Sequence, residues 1–257
     1  MKTICFLNLK GGCAKTTTTV NMAYELEKRG NRILLIDNDK QGNLSKAYQL
    51  YDAAGMCHTA KMLSHDWKDP KELIQNTPED YGNIDIITAN MSLLAATYGI
   101  TGETESIQYK RYKDFLQQIG KEYDFCLIDN PPDIAMNVVN ALAAADEVII
   151  PVKIDEWALD GMDILQEQIG EIKKINPGIA LLGILVTCYK NNDHNNVGIK
   201  WLGEKSPVRI LGKIRYTDKV PESTFFHLPA YRYSPNSGAA QDYKRFAINY
   251  LKEQEGK

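Results

Sequence analysis

The chain has 257 residues, of which 44% are hydrophobic and 25% are charged, and its formal net charge is −3. These values are ordinary for one soluble domain with a substantial core. No apolar run approaches the ~20 residues that a bilayer-spanning helix needs, which argues against an integral membrane protein. The first residues lead straight into a strand pattern and lack the cleavage region of a secretory signal, so we expect the chain in the cytoplasm.

The five cysteines are odd in number and scattered, and no two have C-x-x-C spacing. We therefore expect reduced thiols rather than disulfides or a zinc site. The four histidines form no ligand spacing either, and we assign them no role.

The chain begins with a strand, a glycine turn and a helix. Residues 4–7 form an apolar run, residues 11–12 are both glycine, and residues 18–26 have a helical pattern. The N–H groups of such a turn point inward and the helix N-terminus adds its positive dipole end, so the stretch predicts a phosphate cradle. Lys15 is expected over the β- and γ-phosphates, and the Thr16 hydroxyl is expected on Mg²⁺. The predicted nucleotide-binding residues are Lys10, Gly11, Gly12, Cys13, Ala14, Lys15, Thr16 and Thr17.

The spacing departs from the standard pattern G-x-x-x-x-G-K-[ST], because Leu9 and Ala14 stand where that pattern has glycine. The chain instead reads K-G-G-x-x-K-T from residue 10 to residue 16. This resembles the deviant Walker A motif, K-G-G-x-x-K-[ST], of the ParA/MinD superfamily of ATPases. A lysine at the mouth of the loop points away from its own phosphates, so Lys10 suits phosphates held by a facing subunit.

A second buried strand is predicted at residues 31–37, and it runs into the sequence D-N-D-K-Q-G-N. Carboxylates at the C-terminal end of a strand lie where open α/β sheets bind ligands. The sequence resembles the D-x-D-P-Q-x-N of partition ATPases, except that Lys40 replaces the proline. That resemblance implies that Asp39 orients the attacking water or acts on the Mg²⁺ shell, as a catalytic residue beside Lys10 and Lys15. For Asp37, a loop-capping role and a catalytic role remain equally open.

Four apolar residues that end in Asp129 have the Walker B arrangement, in which the acid at the strand tip holds Mg²⁺ through water. The Pro131–Pro132 pair fixes the next turn. In the ParA/MinD superfamily this turn senses the γ-phosphate, and the D-x-P-P sequence is kept here. The predicted magnesium residues are thus Thr16, Asp39 and Asp129.

Strand and helix patterns alternate along the whole chain. This predicts a single doubly wound α/β domain over residues 1–257, with a mostly parallel sheet between helices. One long amphipathic helix is expected at 155–176, with residues 159, 162, 165, 169, 172 and 175 on its apolar face. A polar loop is expected at 190–196, followed by a short helix at 197–203. Helices are also expected at 44–51, 59–63, 70–74, 91–98, 107–119 and 137–145, and further strands at 84–88, 123–129, 146–152, 179–186 and 208–214. Residues 233–243 resemble the C-terminal motif of the partition ATPases, with Asn236 or Ser237 capping a final helix.

Residues 190–219 hold seven basic and three acidic side chains, a local net charge of +4 in an acidic chain. Partition ATPases bind DNA without sequence preference through basic residues in this third of the chain. A charged stretch can equally be a solvated surface, and only clustering on one face marks a DNA footprint. The candidate DNA contacts are Lys190, Lys200, Lys205, Arg209, Lys213, Arg215 and Lys219.

The resemblance implies a partition ATPase with ATP and Mg²⁺ as cofactors. ATP would be held between two copies of the chain, the homodimer would bind DNA, and a ParB-like centromere-binding partner would stimulate hydrolysis and release. The protein would then be cytoplasmic and associated with the nucleoid. The base pocket is expected near residues 187–189 and 214–216.

Two alternatives share the same phosphate loop. A MinD-like protein would bind membranes through a basic amphipathic C-terminal helix, but residues 250–257 are mixed in charge and poor in apolar bulk. An iron–sulfur reductase would need cysteines for a cluster, but Cys126 lies inside a strand with no suitable cysteine beside it.

Overall fold

A computed structural model describes residues 1–102, 108–155 and 160–256, with only the backbone described at residues 160, 161 and 205. The strands form one eight-stranded sheet in the order β3-β4-β2-β5-β1-β6-β7-β8. They are β1 (Lys2–Phe6), β2 (Ile33–Asp37), β3 (Gln75–Asn76), β4 (Ile84–Ile87), β5 (Phe125–Asp129), β6 (Glu147–Lys153), β7 (Ala180–Tyr189) and β8 (Ile210–Arg215).

The register of the central strands sets the position of the candidate site. All neighbouring strands are parallel except β3 and β4, which pair antiparallel at the edge. Asp129 pairs with Phe6 on one side and with Asp37 on the other, so β1, β5 and β2 end at the same level. Ligands of open α/β sheets bind at this edge, beyond the carboxyl ends of the strands.

Helices cover both faces of the sheet, because the strands are apolar on both sides. The α-helices are α1 (Lys15–Glu27), α2 (Asn43–Ala47), α3 (His58–Ser64), α4 (Ser92–Gly99), α5 (Arg111–Ile119), α6 (Met136–Ala144), α7 (Asp160–Ile172), α8 (Asp193–Lys205), α9 (Lys219–Phe225), α10 (Ala230–Tyr233) and α11 (Gly238–Glu255). Short 3₁₀ turns lie at 70–73, 79–81 and 100–102. One apolar cluster packs helices α3 through α8 against alternate residues of the strands. The other packs α1, α2 and α11 against the strand residues that alternate with those. The doubly wound α/β fold predicted from the sequence is confirmed.

Several predicted boundaries differ from the structure. The expected helix at 44–51 ends at Ala47. The expected helix at 155–176 is described over Asp160–Ile172 and ends four residues early, while its residues 156–159 lie outside the described residues. Helix α8 begins at Asp193 inside the expected polar loop, because the Asn192 side chain accepts a hydrogen bond from the backbone N–H of Asn195. This side-chain cap explains why a helix begins within the polar stretch. Residue 107 of the expected helix at 107–119 also lies outside the described residues.

The C-terminal helix α11 closes over α1 and β8. Ser237 caps it by accepting a hydrogen bond from the N–H of Ala240, as predicted from the sequence. Asp242 is 5% exposed and accepts hydrogen bonds from the backbone N–H of Arg215 at 3.0 Å and from its Nε at 2.7 Å and Nη2 at 2.9 Å. This contact ties α11 to the end of β8. Within the part of the chain that the structure describes, no helix is both long and apolar enough to cross a membrane.

Replacing Asp242 should weaken the attachment of α11 to the end of β8. Asp242→Ala leaves the backbone N–H of Arg215 without its acceptor, and we expect the free energy of unfolding to fall by about 1–3 kcal/mol in urea denaturation. The control is Glu253→Ala, which removes a half-exposed ion pair with Arg209 and should cost less than about 1 kcal/mol. Equal losses in the two variants would contradict an anchoring role for Asp242.

Candidate nucleotide site

The loop between β1 and α1 has the shape of an anion cradle. Gly12 has φ of +73° and Ala14 has φ of +67°, so both lie in the left-handed region. Ala14 is the N-cap of α1 and makes no side-chain cap, which leaves the first N–H groups of the helix open to a ligand. Alanine in this conformation costs about 1 kcal/mol or more, and such strain is characteristic of binding sites.

Lys15 is folded back over the loop that precedes it. Its ammonium is buried and donates to the carbonyls of Asn8 at 3.0 Å and Lys10 at 3.1 Å. The Cys13 thiol is buried beneath the same loop, and the carbonyl of Cys13 accepts a hydrogen bond from the Thr187 hydroxyl at 2.9 Å. The loop therefore offers a ligand the ammonium of Lys15 and backbone N–H groups, with the Cys13 side chain turned inward.

Lys10 is paired within its own chain. Its ammonium contacts the carboxylate of Asp155, which follows β6, and about one third of each side chain is exposed. Asp155 had no role in the sequence analysis, because nothing near it in the sequence connects it with a lysine 145 residues away.

Thr16 and Asp129 form the part of the site that fits a metal ion. The Thr16 hydroxyl donates to Asp129 Oδ2 at 2.6 Å, while Asp129 Oδ1 is buried and has no hydrogen-bond partner among the described residues. Burial, reinforced by the nearby Asp37 carboxylate, raises the pKa of Asp129 well above its usual value. A buried carboxylate oxygen without a partner is a place where a cation fits.

No group of three His, Cys, Asp or Glu side chains in the described ranges is arranged to hold a metal ion. A Mg²⁺ ion here would have Thr16 and Asp129 as its protein neighbours, with water and phosphate oxygens as its other ligands. This is the pattern expected of magnesium, which keeps several waters and uses few protein ligands.

The two carboxylates after β2 have different surroundings. Asp37 is fully buried and its Oδ2 accepts hydrogen bonds from the N–H of Ser45 at 2.8 Å and from its hydroxyl at 2.7 Å. Burial raises the pKa of Asp37 to about 6. Asp39 is partly exposed, and its Oδ1 accepts a hydrogen bond from the Gln41 N–H at 2.9 Å. Asp37 thus supports the loop, while Asp39 lies at the open side.

A buried amide network lies behind the loops that follow β2 and β5, and sequence reasoning missed it. Asn38 Nδ2 donates to Asn130 Oδ1 at 2.8 Å, and Asn137 Nδ2 donates to the carbonyl of Asn38 at 2.9 Å. The Tyr112 hydroxyl donates to Asn38 Oδ1 at 2.7 Å. All four side chains are buried, so the network fixes both loops relative to α5 and α6. The asparagines beside the two predicted acids were the only sequence signal.

Two cavities meet at the phosphate loop. One has a volume of about 430 Å³ and is lined by the loop, Asp39, Lys40 and Asp133. The other has a volume of about 250 Å³ and lies among residues 187–188, 214–217, 220–221 and Tyr243. Gly12, Ala14 and Thr17 line both, so a phosphate chain and a base could be bound together. The second cavity thus includes residues of both segments named for the base pocket, 187–188 from one and 214–216 from the other.

The described side chains among the predicted DNA contacts do not form a cluster of free cations. Arg215 is bound to Asp242, Arg209 to Glu253, Lys219 to Glu222 and Lys200 to Glu204. The Lys205 side chain is outside the described part of the chain. Lys190 and Lys213 differ, since their ammonium groups lie 4.3 Å and 4.9 Å from the ring centroids of Tyr216 and Tyr189. Arg215 is thus a structural anchor, and its place in the basic set rested on composition alone.

The chain is similar to known proteins over most of its length. A family model described as an AAA domain matches residues 1–181. The chromosome-partitioning ATPase Soj of Treponema pallidum is 30% identical over 96% of this chain and 95% of that protein. The sporulation initiation inhibitor protein Soj of Bacillus subtilis is 31% identical over 79% of this chain and 78% of that protein.

A solved structure is also similar over the full chain. Cobyrinic acid a,c-diamide synthase of Mycobacterium smegmatis, with bound ADP and magnesium, has a TM-score of 0.85 and 25% identity, and the match covers 100% of this chain and 97% of that one. From the deviant phosphate loop at the end of β1, the acids at the ends of β2 and β5 and these matches, we conclude that the chain belongs to the AAA-domain family and, within it, to the ParA/Soj type of partition ATPases.

Proposed function

We propose that the protein is a DNA-partition ATPase whose ATP-bound homodimer binds DNA without sequence preference and is released by partner-stimulated hydrolysis. The observation that carries this proposal is the pairing of Thr16 with Asp129 beside the loop of Lys10 and Lys15. It brings a hydroxyl, a carboxylate and two ammonium groups to one edge of the sheet. Residues 1–257 act in this proposal as a single ATPase domain.

Each site residue has a role in ATP hydrolysis. Lys15 exchanges its loop carbonyls for the β- and γ-phosphates, and the N-terminus of α1 holds the same phosphates. Thr16 and Asp129 hold Mg²⁺, which neutralises charge on the phosphates. Asp39, at the open side of the cavity, orients the attacking water. The adenine base lies in the second cavity, between the ends of β7 and β8.

Lys10 links nucleotide binding to dimerisation. In the single chain it is paired with Asp155, so its ammonium has to leave that carboxylate before it can reach the phosphates of a facing copy. The charge of the facing triphosphate compensates for breaking the pair with Asp155. When no nucleotide-bound copy faces it, Lys10 therefore stays paired with Asp155.

Replacing Lys10 should separate ATP binding from dimerisation. Lys10→Ala should still bind ATP, since Lys15 and the helix N-terminus remain, but it should elute as a monomer with ATP on a sizing column. Its ATP turnover should fall by at least about tenfold, because the variant has no ammonium to donate to the facing phosphates. The control is Lys28→Ala, an exposed lysine at the end of α1. Normal dimerisation and hydrolysis by Lys10→Ala would contradict the proposal.

Lys190 and Lys213 are the best-placed candidates for DNA contact. Both are exposed, and in the described structure neither is paired with a carboxylate. The N–H of Tyr216 donates to the carbonyl of Tyr189 at 2.8 Å, so the two tyrosines are joined through their backbones at the ends of β7 and β8. Dimerisation would double these two charges, which makes DNA affinity depend on ATP.

Removing both lysines should weaken DNA binding and its salt dependence. For Lys190→Ala/Lys213→Ala with ATP, we expect the slope of log affinity against log salt to fall by about 1 for each DNA phosphate that a lysine no longer neutralises. Fluorescence anisotropy with two unrelated duplexes would show a uniform decrease in affinity. The matched control is Lys71→Ala/Lys174→Ala, which removes the same charge from lysines paired with Glu122 and Glu171. Equal slopes for the double variant and wild type would contradict this assignment.

The cellular partner follows from the same scheme. A ParB-like centromere-binding protein would stimulate hydrolysis, and the protein would be cytoplasmic and associated with the nucleoid. A membrane-binding MinD-like function would instead show as flotation of the ATP-bound protein with anionic liposomes.

A further inference from the structure

Lys40 connects the two loops that close the phosphate cavity. Its ammonium lies 3.4 Å from Oδ2 of Asp133, with 32% and 43% of the two side chains exposed. Lys40 directly follows Asp39, and Asp133 directly follows the Pro131–Pro132 turn. The lysine stands where the resembling motif has a proline, so nothing in that motif accounts for it.

The Lys40–Asp133 contact is weak. A distance of 3.4 Å is longer than the usual range of about 2.7–3.2 Å for an N–H···O hydrogen bond. An ion pair with this exposure contributes little in water. Within the described ranges Asp133 Oδ1 is also buried without a hydrogen-bond partner, so these surroundings satisfy the carboxylate incompletely. The ammonium of Lys40 is therefore available to a stronger anion.

Lys40 lines the cavity in which such an anion would be bound. The 430 Å³ space is lined by residues of the segment 11–17 together with residues of the segments 39–43 and 130–133. The phosphate loop and the N-terminus of α1 hold the inner part of a phosphate chain. The phosphate furthest from the loop is then the one closest to Lys40, which lines the same cavity, and a triphosphate carries one more phosphate in that direction than a diphosphate.

We propose that Lys40 is a phosphate-binding residue that selects triphosphate over diphosphate. In the empty site its ammonium lies on Asp133, and in the occupied site it donates to the terminal phosphate. This inference rests on the proposed ATP site. Lys40 would be the third lysine of that site, after Lys10 and Lys15, and it stands where this chain departs from the motif.

The test compares affinities for a non-hydrolysable ATP analogue and for ADP by competition with a fluorescent nucleotide. Lys40→Ala should weaken binding of the ATP analogue by about tenfold, the effect expected for removing a charge-assisted hydrogen bond, and binding of ADP by less than about twofold. Lys40→Arg should keep the preference, since the positive charge is retained. Asp133→Asn should tighten binding of the ATP analogue, because it weakens the competing ion pair.

The double variant Lys40→Ala/Asp133→Asn separates a direct contact from a structural effect. If Asp133 acts only by competing for Lys40, Asp133→Asn should have no effect once the lysine is absent. The matched control is Lys46→Ala, whose ammonium donates to the Gln41 carbonyl in the same loop but does not line this cavity. It should leave the ratio of the two affinities unchanged.

Equal weakening of the ATP analogue and ADP by Lys40→Ala, in a protein with unchanged thermal unfolding, would overturn the inference and leave the proposed function intact. An unchanged affinity for the ATP analogue in Lys40→Ala would overturn it as well. A wild-type protein that binds neither nucleotide would overturn the proposed function, and the role of Lys40 with it.

Discussion

The site depends on the register of three parallel strands. Because Asp129 is level with Phe6 and with Asp37, the loops after β1, β5 and β2 leave the sheet at the same height. A slip of one residue in either pairing would turn the alternating side chains to the opposite face and separate Asp129 from Thr16. Both faces of these strands pack against their own layer of helices, so a slip would also disturb the packing of each layer.

This register has an electrostatic cost. It holds two buried carboxyl groups, Asp37 and Asp129, on neighbouring strands; burial raises the pKa of both, and the charge of Asp37 raises that of Asp129 further. Hydrogen bonds from Ser45 stabilise the first, while in the part of the chain that the structure describes the second accepts one from Thr16 on a single oxygen. The surroundings of Asp129 thus favour a positive charge, and the Thr16 hydroxyl and the Lys15 ammonium lie near it.

The sequence predicted the local parts of this arrangement well. The strand–turn–helix of the phosphate loop, the strand ends at Asp37 and Asp129 and most elements of the doubly wound sheet follow from patterns within about ten residues, where strand, turn and helix signals agree. The partners of Lys10 and Arg215 could not be predicted, because Asp155 and Asp242 are distant in sequence and come close only in the folded chain. From the sequence, the basic residues of 190–219 could only be counted as net charge. The structure shows that most of those whose side chains are described are paired with carboxylates. The start of α8 was missed because an asparagine cap outweighed the polar composition around it.

Ala14 shows how the phosphate loop keeps its shape. Its backbone is in a conformation that alanine avoids, so the local sequence does not favour the loop by itself. The conformation is maintained by contacts from outside, such as the hydrogen bond from Thr187 on β7 to the Cys13 carbonyl. The anion cradle is therefore a product of the finished tertiary structure, and an isolated peptide of this stretch would not hold phosphate in the same way.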